Sequence, residues 1–232
     1  FYYATDLGGT ALVTGDIGSG KSTALRYAAD SLHPSEYKVF NITATSGPIM
    51  ELYQQILTEM CIGPSGRSKA LMIRLIKKEV MELVDAKKMK VVLIIDEASL
   101  LRMEVLAELY TLTQYHRDSK HWMPIVLSGQ SSLIDKMMYR SSKPLASRVV
   151  ARSHLEGLDR QGMKQYIDHH LKLAGVNPGL FDDAAVTAVH QGSGGLLRKA
   201  NHLARGALIA ASKQNEQIIN PEHVRLAATE IF

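Results

Sequence analysis

The sequence has little cysteine and no long apolar run. Cys61 is the only cysteine among 232 residues, so no disulfide can form within the chain and no site can be built from several thiolates. No stretch approaches the roughly 18 consecutive apolar residues of a membrane-spanning helix, and 91–95 is a typical apolar run. These absences favour a reducing, cytoplasmic setting. The chain begins at Phe1 without the cationic flank of a signal peptide, and we expect it to be part of a longer protein.

The composition is that of a folded domain with a mild positive charge. Apolar residues make up 46% and charged residues 22%, which excludes a disordered tail or a fibrous repeat. Lys and Arg exceed Asp and Glu by 27 − 23 = +4. A charge of this size is compatible with a nucleic-acid partner but does not indicate one. The length predicts a large domain or a core with a small appendage.

Short β-rich runs alternate with helical stretches through the first two thirds of the chain. Strands are predicted at 11–14, 37–43, 91–95, 124–128 and 149–155, and helices between them at 21–31, 48–60, 68–86 and 103–115. This alternation predicts an α/β fold with a parallel sheet between helices. After Gly157 only helical patterns remain, at 159–174, 182–190, 196–213 and 221–231. We therefore predict a P-loop αβα core over 1–157 and an all-helical lid over 158–232.

A glycine-rich turn follows the first predicted strand and opens a helix. It matches the pattern G-x-x-x-x-G-K-[ST] with Gly15, Asp16, Ile17, Gly18, Ser19, Gly20, Lys21 and Ser22. The glycines let successive N–H groups point at phosphate oxygens, and the helix N-terminus adds its positive dipole end. In this pattern Lys21 reaches the β- and γ-phosphates, and the Ser22 hydroxyl is a ligand of Mg²⁺. The sequence therefore predicts a site for ATP and Mg²⁺.

Two acids end the most apolar predicted strand. Asp96 and Glu97 follow the run 91–95 directly. Beside a phosphate loop, we expect Asp96 to hold the Mg²⁺ ion through its water shell and Glu97 to polarise the attacking water as a general base. A water-activating carboxylate at this place favours a hydrolase over a small-molecule kinase. A solvated acidic turn is the alternative.

These motifs, in this order, resemble those of AAA+ ATPases. More narrowly, the chain resembles the ExeA/GspA-type ATPases and the transposition helper ATPases of the TnsC/TniB kind. The resemblance is carried by the segments 14–23, 95–98, 126–130, 145–149, 166–171 and 193–201. It extends the nucleotide-binding loop to Thr23 and covers nearly the whole chain.

The resemblance implies roles for three further polar residues. Gln130, after the fourth strand, would be sensor 1, which contacts the γ-phosphate or its water; Ser128 is the alternative. Arg148 would be the arginine finger that completes a neighbouring subunit's site, with Arg152 as the alternative. Arg198, at the start of a lid helix, would be sensor 2 and would link the lid to the nucleotide. Each of these arginines could instead be an ordinary surface residue.

The resemblance does not decide which cellular process the ATPase serves, which we call its downstream task. It implies a ring or filament of identical subunits with ATP at their interfaces, and we favour a regulator of transposition that binds double-stranded DNA and recruits a transposase. A secretion-pathway accessory ATPase and a slow nucleotide-dependent switch are the alternatives. Arg74, Lys77 and Lys78 on a predicted helix, and a basic stretch at 116–121, are candidate DNA contacts. For the three helical residues we favour the alternative of a solvated amphipathic face over DNA contact.

Overall fold

The computed structural model describes residues 1–63, 66, 68–114 and 122–231. The chain divides into two compact units. The first consists of Phe1–Gly15 and Lys21–His154, and the second of Asp16–Gly20 and Leu155–Phe232. From Leu155 onward the chain belongs to the second unit, and the expected division into 1–157 and 158–232 stays a prediction. The grouping of residues 16–20 with the helical second unit was not expected from the sequence.

The first unit is built on a five-stranded sheet with the strand order β2-β3-β4-β1-β5. The strands are β1 (Thr10–Gly15), β2 (Tyr37–Thr43), β3 (Lys90–Asp96), β4 (Ile125–Gly129) and β5 (Val149–Leu155). The pairs β2–β3, β3–β4 and β1–β4 are parallel. All five strands fall where the sequence places them, to within a residue or two at their ends. The predicted α/β fold with a parallel sheet is confirmed.

The central strand β3 shows why the sheet is covered on both faces. Its residues from Val91 to Ile95 are all completely buried. Since alternate side chains of a strand point to opposite faces, both faces of β3 pack against other elements. Leu93 and Ile95 belong to the main apolar cluster with side chains of the helices that follow β2 and β3. A continuous apolar run of this length is typical of a buried parallel strand.

The helices of the first unit alternate with its strands. They are α1 (Tyr2–Leu7), α2 (Lys21–Asp30), α3 (Ile49–Glu59), α4 (Lys69–Met81), α5 (Met103–Thr113), α6 (Ser132–Met138) and α7 (Lys143–Ala146). The helix predicted at 68–86 is divided, because α4 ends at Met81 and a π-helical turn continues over Glu82–Ala86. The sequence did not predict α1, α6 or α7, which are too short for a helical period to show. The basic stretch 116–121 lies outside the described residues.

Four helices make up the described part of the second unit from Leu155 onward. They are α8 (Arg160–Leu173), α9 (Asp183–Ser193), α10 (Leu197–Lys213) and α11 (Pro221–Ile231). Asp159 and Asp182 cap α8 and α9, because their carboxylates accept backbone N–H bonds from Gly162 and Ala185. The Asn220 side chain does the same for α11, as its position before Pro221 predicts. No helix in the described residues is long and apolar enough to cross a membrane.

Candidate active site

The loop after β1 has the backbone geometry of a phosphate cradle. Gly18 and Gly20 adopt φ angles of +83° and +97°, which residues with a Cβ atom rarely adopt. The Ser19 amide donates to the Asp16 carbonyl oxygen at 3.2 Å. The Ser19 hydroxyl is buried and has no hydrogen-bond partner among the described atoms. A buried hydroxyl in this state fits a loop that receives polar ligand oxygens.

Lys21 and Ser22 open helix α2 directly after this loop. Lys21 is only 7% exposed, and its Nζ donates to the Gly15 carbonyl oxygen at 2.9 Å. Ser22 and Thr23 are exposed in the first turn, where the helix leaves backbone N–H groups without helical partners. The donors that ATP phosphates need and the hydroxyl that Mg²⁺ needs are therefore present. The chemistry of these residues fits the nucleotide and the ion.

The carboxyl ends of β1, β3 and β4 lie at one edge of the sheet. In register, Thr14 pairs with Gly129, and Ile95 pairs with Leu127. Because neighbouring parallel strands end at the same edge, Asp96 at the end of β3 and Gln130 directly after β4 lie at the edge where β1 also ends. These strand ends are the geometric basis of the candidate site, and the roles of the residues that they carry stay predictions.

The acids at the end of β3 are held in a particular backbone conformation. The Asp96 carboxylate accepts a hydrogen bond from the Glu97 amide at 2.9 Å. Glu97 adopts φ 52° and ψ 31°, the left-handed region that residues other than glycine seldom occupy. Such a conformation costs on the order of 1–2 kcal/mol, and it is found preferentially at functional sites. Both acids are partly exposed, so a ligand can reach them.

The two candidates for sensor 1 differ in accessibility. Ser128 is completely buried, and its hydroxyl has no partner among the described atoms. Gln130 lies just beyond the end of β4 and is partly exposed. Contact with a ligand at the edge of the sheet needs an accessible side chain, which favours Gln130. The role itself stays a prediction.

Arg148 lies immediately before the edge strand β5. Its Nη1 donates to the Pro144 carbonyl oxygen at 2.7 Å, and its guanidinium lies 5.3 Å from the centre of the Tyr110 ring. Arg152, within β5, is exposed. The guanidinium of Arg148 is thus oriented by its own chain, whereas no such contact is seen for Arg152 within the described residues. The assignment of either residue as an arginine finger stays a prediction.

Arg198 contacts the glycine loop through its backbone. Its amide donates to the Gly18 carbonyl oxygen at 3.2 Å, and both residues belong to the second unit. A Cβ on Gly18 would lie 2.7 Å from the Cβ of Arg198. The Arg198 side chain is exposed. The start of α10 and the tip of the loop are therefore in direct contact, and the role of Arg198 as sensor 2 stays a prediction.

We expect Gly18→Ala to destabilise the second unit more than Gly175→Ala does. Both glycines have positive φ, +83° and +74°, so each alanine carries strain of about 1–2 kcal/mol. Only at Gly18 does the new methyl group also overlap Arg198, which adds about 1–3 kcal/mol. Urea unfolding followed by circular dichroism measures the difference. Equal losses of unfolding free energy in the two variants would show that the loop and α10 are not in close contact.

The structure adds contacts that the sequence did not single out. The Thr14 hydroxyl lies 2.9 Å from Nδ1 of His154, which ties the end of β1 to β5. Lys136 on α6 donates to the carbonyl oxygens of Ser99 and Leu101, in the segment after Glu97. No sequence signal marks these residues, because the partners of Lys136 are backbone atoms and α6 is too short to show a pattern.

The sequence matches a known protein family and a named relative. A family model described as an AAA domain matches residues 5–137, which is more than half of the chain. General secretion pathway protein A of Aeromonas hydrophila is 33% identical over 99% of this chain, and the match covers 42% of that protein. The chain thus spans about two fifths of the length of this relative.

Solved structures share the fold at low sequence identity. The Aeropyrum pernix ORC2 protein in its ADP form has a TM-score of 0.71 and 16% identity, and the match covers 99% of this chain and 64% of that one. The Thermotoga maritima RuvB Holliday junction branch migration motor has a TM-score of 0.62 and 21% identity, with 99% and 65% covered. The chain spans slightly less than two thirds of each.

Proposed function

Because the chain belongs to the AAA domain family and is similar to a GspA-type ATPase, we propose that it binds ATP with Mg²⁺ and hydrolyses the γ-phosphate bond. One observation carries the proposal. The end of β1, after which the glycine loop begins, the acids at the end of β3 and the polar residue after β4 lie at the carboxyl edge of the sheet. This is where an open α/β sheet binds its ligand.

Each residue of the site has a distinct role in this proposal. The backbone N–H groups of 16–20 and the Lys21 ammonium bind the phosphate oxygens. Ser22 and Asp96 would hold Mg²⁺, which when bound neutralises charge on the phosphates. Glu97 accepts a proton from the attacking water at its carboxylate, and Gln130 orients that water.

We further propose that the site is completed by a second copy of the chain. Arg148 belongs to the segment next to the edge strand β5, and its guanidinium is held by Pro144 and Tyr110. A fixed guanidinium stabilises the charge that develops during phosphoryl transfer at little further cost in entropy. ATP would then promote a ring or filament, and hydrolysis would release it. A slow signalling switch needs neither Glu97 nor Arg148, which counts against that alternative.

For the downstream task, the sequence comparison favours a secretion accessory. The relative at 33% identity is named General secretion pathway protein A, and its match covers nearly all of this chain. More than half of that protein has no counterpart here, so any role that depends on its other segments is part of the proposal. Under this hypothesis the chain is the ATPase module of a larger secretion-pathway protein.

The second candidate is a DNA-binding regulator of transposition that recruits a transposase. Arg74 and Lys78 are exposed on α4, and the net charge of the chain is +4. Lys77 is less suited to bind DNA, because its Nζ donates to the Gln114 carbonyl oxygen at 3.2 Å, and burial lowers its pKa. The positive face of α4 is therefore narrower than the sequence indicates, but two exposed cations remain on it.

One experiment tests both the ATPase and its task. We expect the protein to release phosphate from ATP only when Mg²⁺ is present, and to sediment faster with ATP than without it. The variant Lys21→Ala should show neither effect. Phosphate release no higher than that of Lys21→Ala would refute the ATPase proposal. Adding duplex DNA over a range of salt then separates the two tasks. ATP-dependent binding that weakens steeply with salt favours transposition, and indifference to DNA favours secretion.

A further inference from the structure

The segment that follows Glu97 is tied to helix α6 by one lysine. Ala98–Leu100 forms a 3₁₀ turn directly after Glu97. The Nζ of Lys136 donates to the carbonyl oxygen of Ser99 at 2.6 Å and to that of Leu101 at 2.8 Å. Bonds from an ammonium group are stronger than those between neutral groups. A single side chain thus holds two carbonyls of this segment.

The turn begins at a residue whose conformation needs support. Glu97 is in the left-handed region, and its carbonyl oxygen accepts from the Leu100 amide at 2.9 Å. Its own amide donates to the carboxylate of Asp96. A residue other than glycine keeps such a conformation only when the surrounding structure holds it. The direction of the Glu97 side chain therefore depends on how firmly the next three residues are fixed.

The same turn is in close contact with the end of β4. A Cβ on Gly129 would lie 2.8 Å from the Ser99 amide nitrogen, so only glycine fits there without a shift. Gln130 follows Gly129 directly, and α6 starts two residues later. The segment that carries Gln130 thus touches the turn at Gly129 and holds it through Lys136. Glu97 and Gln130 are connected through these two contacts.

The side chains packed against the turn are apolar, apart from the ammonium group of Lys136. Ala98, Leu101, Leu133 and Met137 are buried in the same apolar cluster, while Lys136 is half-buried beside them. The two carbonyls that Lys136 binds are in partly buried surroundings. Removing the ammonium would leave them without this donor, and the turn would relax to find other partners.

We propose that Lys136 is a positioning residue that fixes the Glu97 carboxylate relative to Gln130. The proposal rests on the proposed ATPase function, in which Glu97 takes the proton of the attacking water and Gln130 orients that water. Lys136 contacts neither residue's side chain in the described structure and acts through the turn. Loss of alignment by about 1 Å at a catalytic group is sufficient to slow a reaction about 100-fold.

The test uses Lys136→Met, which keeps the length of the side chain without its charge, and Lys136→Arg, which can still donate to both carbonyls. Lys143→Met, on an exposed lysine of the neighbouring helix α7, is the matched control. We expect Lys136→Met to lower kcat for ATP about 10- to 100-fold with KM within about twofold. Lys136→Arg should recover most of kcat, and Lys143→Met should resemble the wild type.

A second measurement does not depend on hydrolysis. Hydrogen exchange at the Leu100 amide reports on the turn, and we expect exchange at least about tenfold faster in Lys136→Met alone. Unchanged exchange, or faster exchange with unchanged kcat, would overturn the proposal. If Lys136→Met does not fold, Lys136→Gln replaces it in both measurements. A wild type that releases no phosphate would refute the ATPase proposal instead, and exchange at Leu100 would still decide whether Lys136 holds the turn.

Discussion

Replacing Glu97 by Gln is expected to lower kcat for ATP hydrolysis by about 10²- to 10⁴-fold, the usual contribution of a general base. The amide is nearly isosteric with the carboxylate, so the left-handed backbone at Glu97 and its hydrogen bond to Asp96 remain. ATP binding should be unchanged within about twofold, because the phosphates are bound by the loop and Lys21. Single-turnover phosphate release and the fluorescence of a bound nucleotide analogue measure the two quantities.

The matched control for this variant is Glu104→Gln, an exposed acid in the first turn of α5. It removes the same charge from the same unit and should leave both kcat and ATP affinity as in the wild type. If Glu97→Gln kept more than about a tenth of wild-type kcat, the assignment of Glu97 as the general base would be wrong. A large loss of affinity would instead place Glu97 among the groups that hold Mg²⁺.

Replacing Arg148 by Ala is expected to lower kcat by about 10³- to 10⁵-fold, the range known for arginine fingers. The effect should act in trans. Subunits with Arg148→Ala retain an intact nucleotide loop and a wild-type Glu97, whereas Glu97→Gln subunits retain a wild-type Arg148. Mixing the two should restore hydrolysis at each interface where the wild-type arginine of one subunit faces the wild-type glutamate of the other. Phosphate release against the mixing ratio, at a protein concentration that favours assembly, measures this complementation.

The mixing experiment also separates the two arginines. Arg152→Ala subunits, which lose an exposed guanidinium on β5, should behave as wild type if Arg148 is the finger. Complementation by Arg148→Ala would be absent if Arg148 acted only within its own chain, through Pro144 and Tyr110. In that case the variant would lose unfolding free energy rather than activity in trans, and thermal unfolding would show it.

The parts of the site that the sequence predicts are those with a local cause. The glycine loop can be recognised in the sequence because only glycine readily adopts the φ angles found at Gly18 and Gly20. The strand that ends at Asp96 can be recognised because a strand covered on both faces is apolar along its length. The parallel order of the strands follows from their alternation with helices. For these reasons both the fold class and the line of polar groups at one sheet edge were predictable.

The remaining features depend on contacts between distant parts of the chain. Lys136 binds backbone carbonyls 35 and 37 residues away, and every residue type offers the same carbonyl. Residues 16–20 belong to the helical unit and contact it through the Arg198 amide, a group that is likewise independent of side-chain type. Helices α6 and α7 are too short for periodicity. Sequence patterns reflect side-chain types, whereas each of these contacts has a main-chain atom as at least one partner.

The bond between the Arg198 amide and the Gly18 carbonyl has a consequence for how the protein can be dissected. It joins two main-chain atoms, so truncating the Arg198 side chain removes the guanidinium and leaves this attachment in place. The effect of the main-chain bond can therefore be tested separately from the effect of the Arg198 guanidinium. Any loss of nucleotide response in a truncated variant would belong to the missing side chain and not to this main-chain bond. An ester in place of the 197–198 peptide bond would weaken the main-chain bond and spare the side chain.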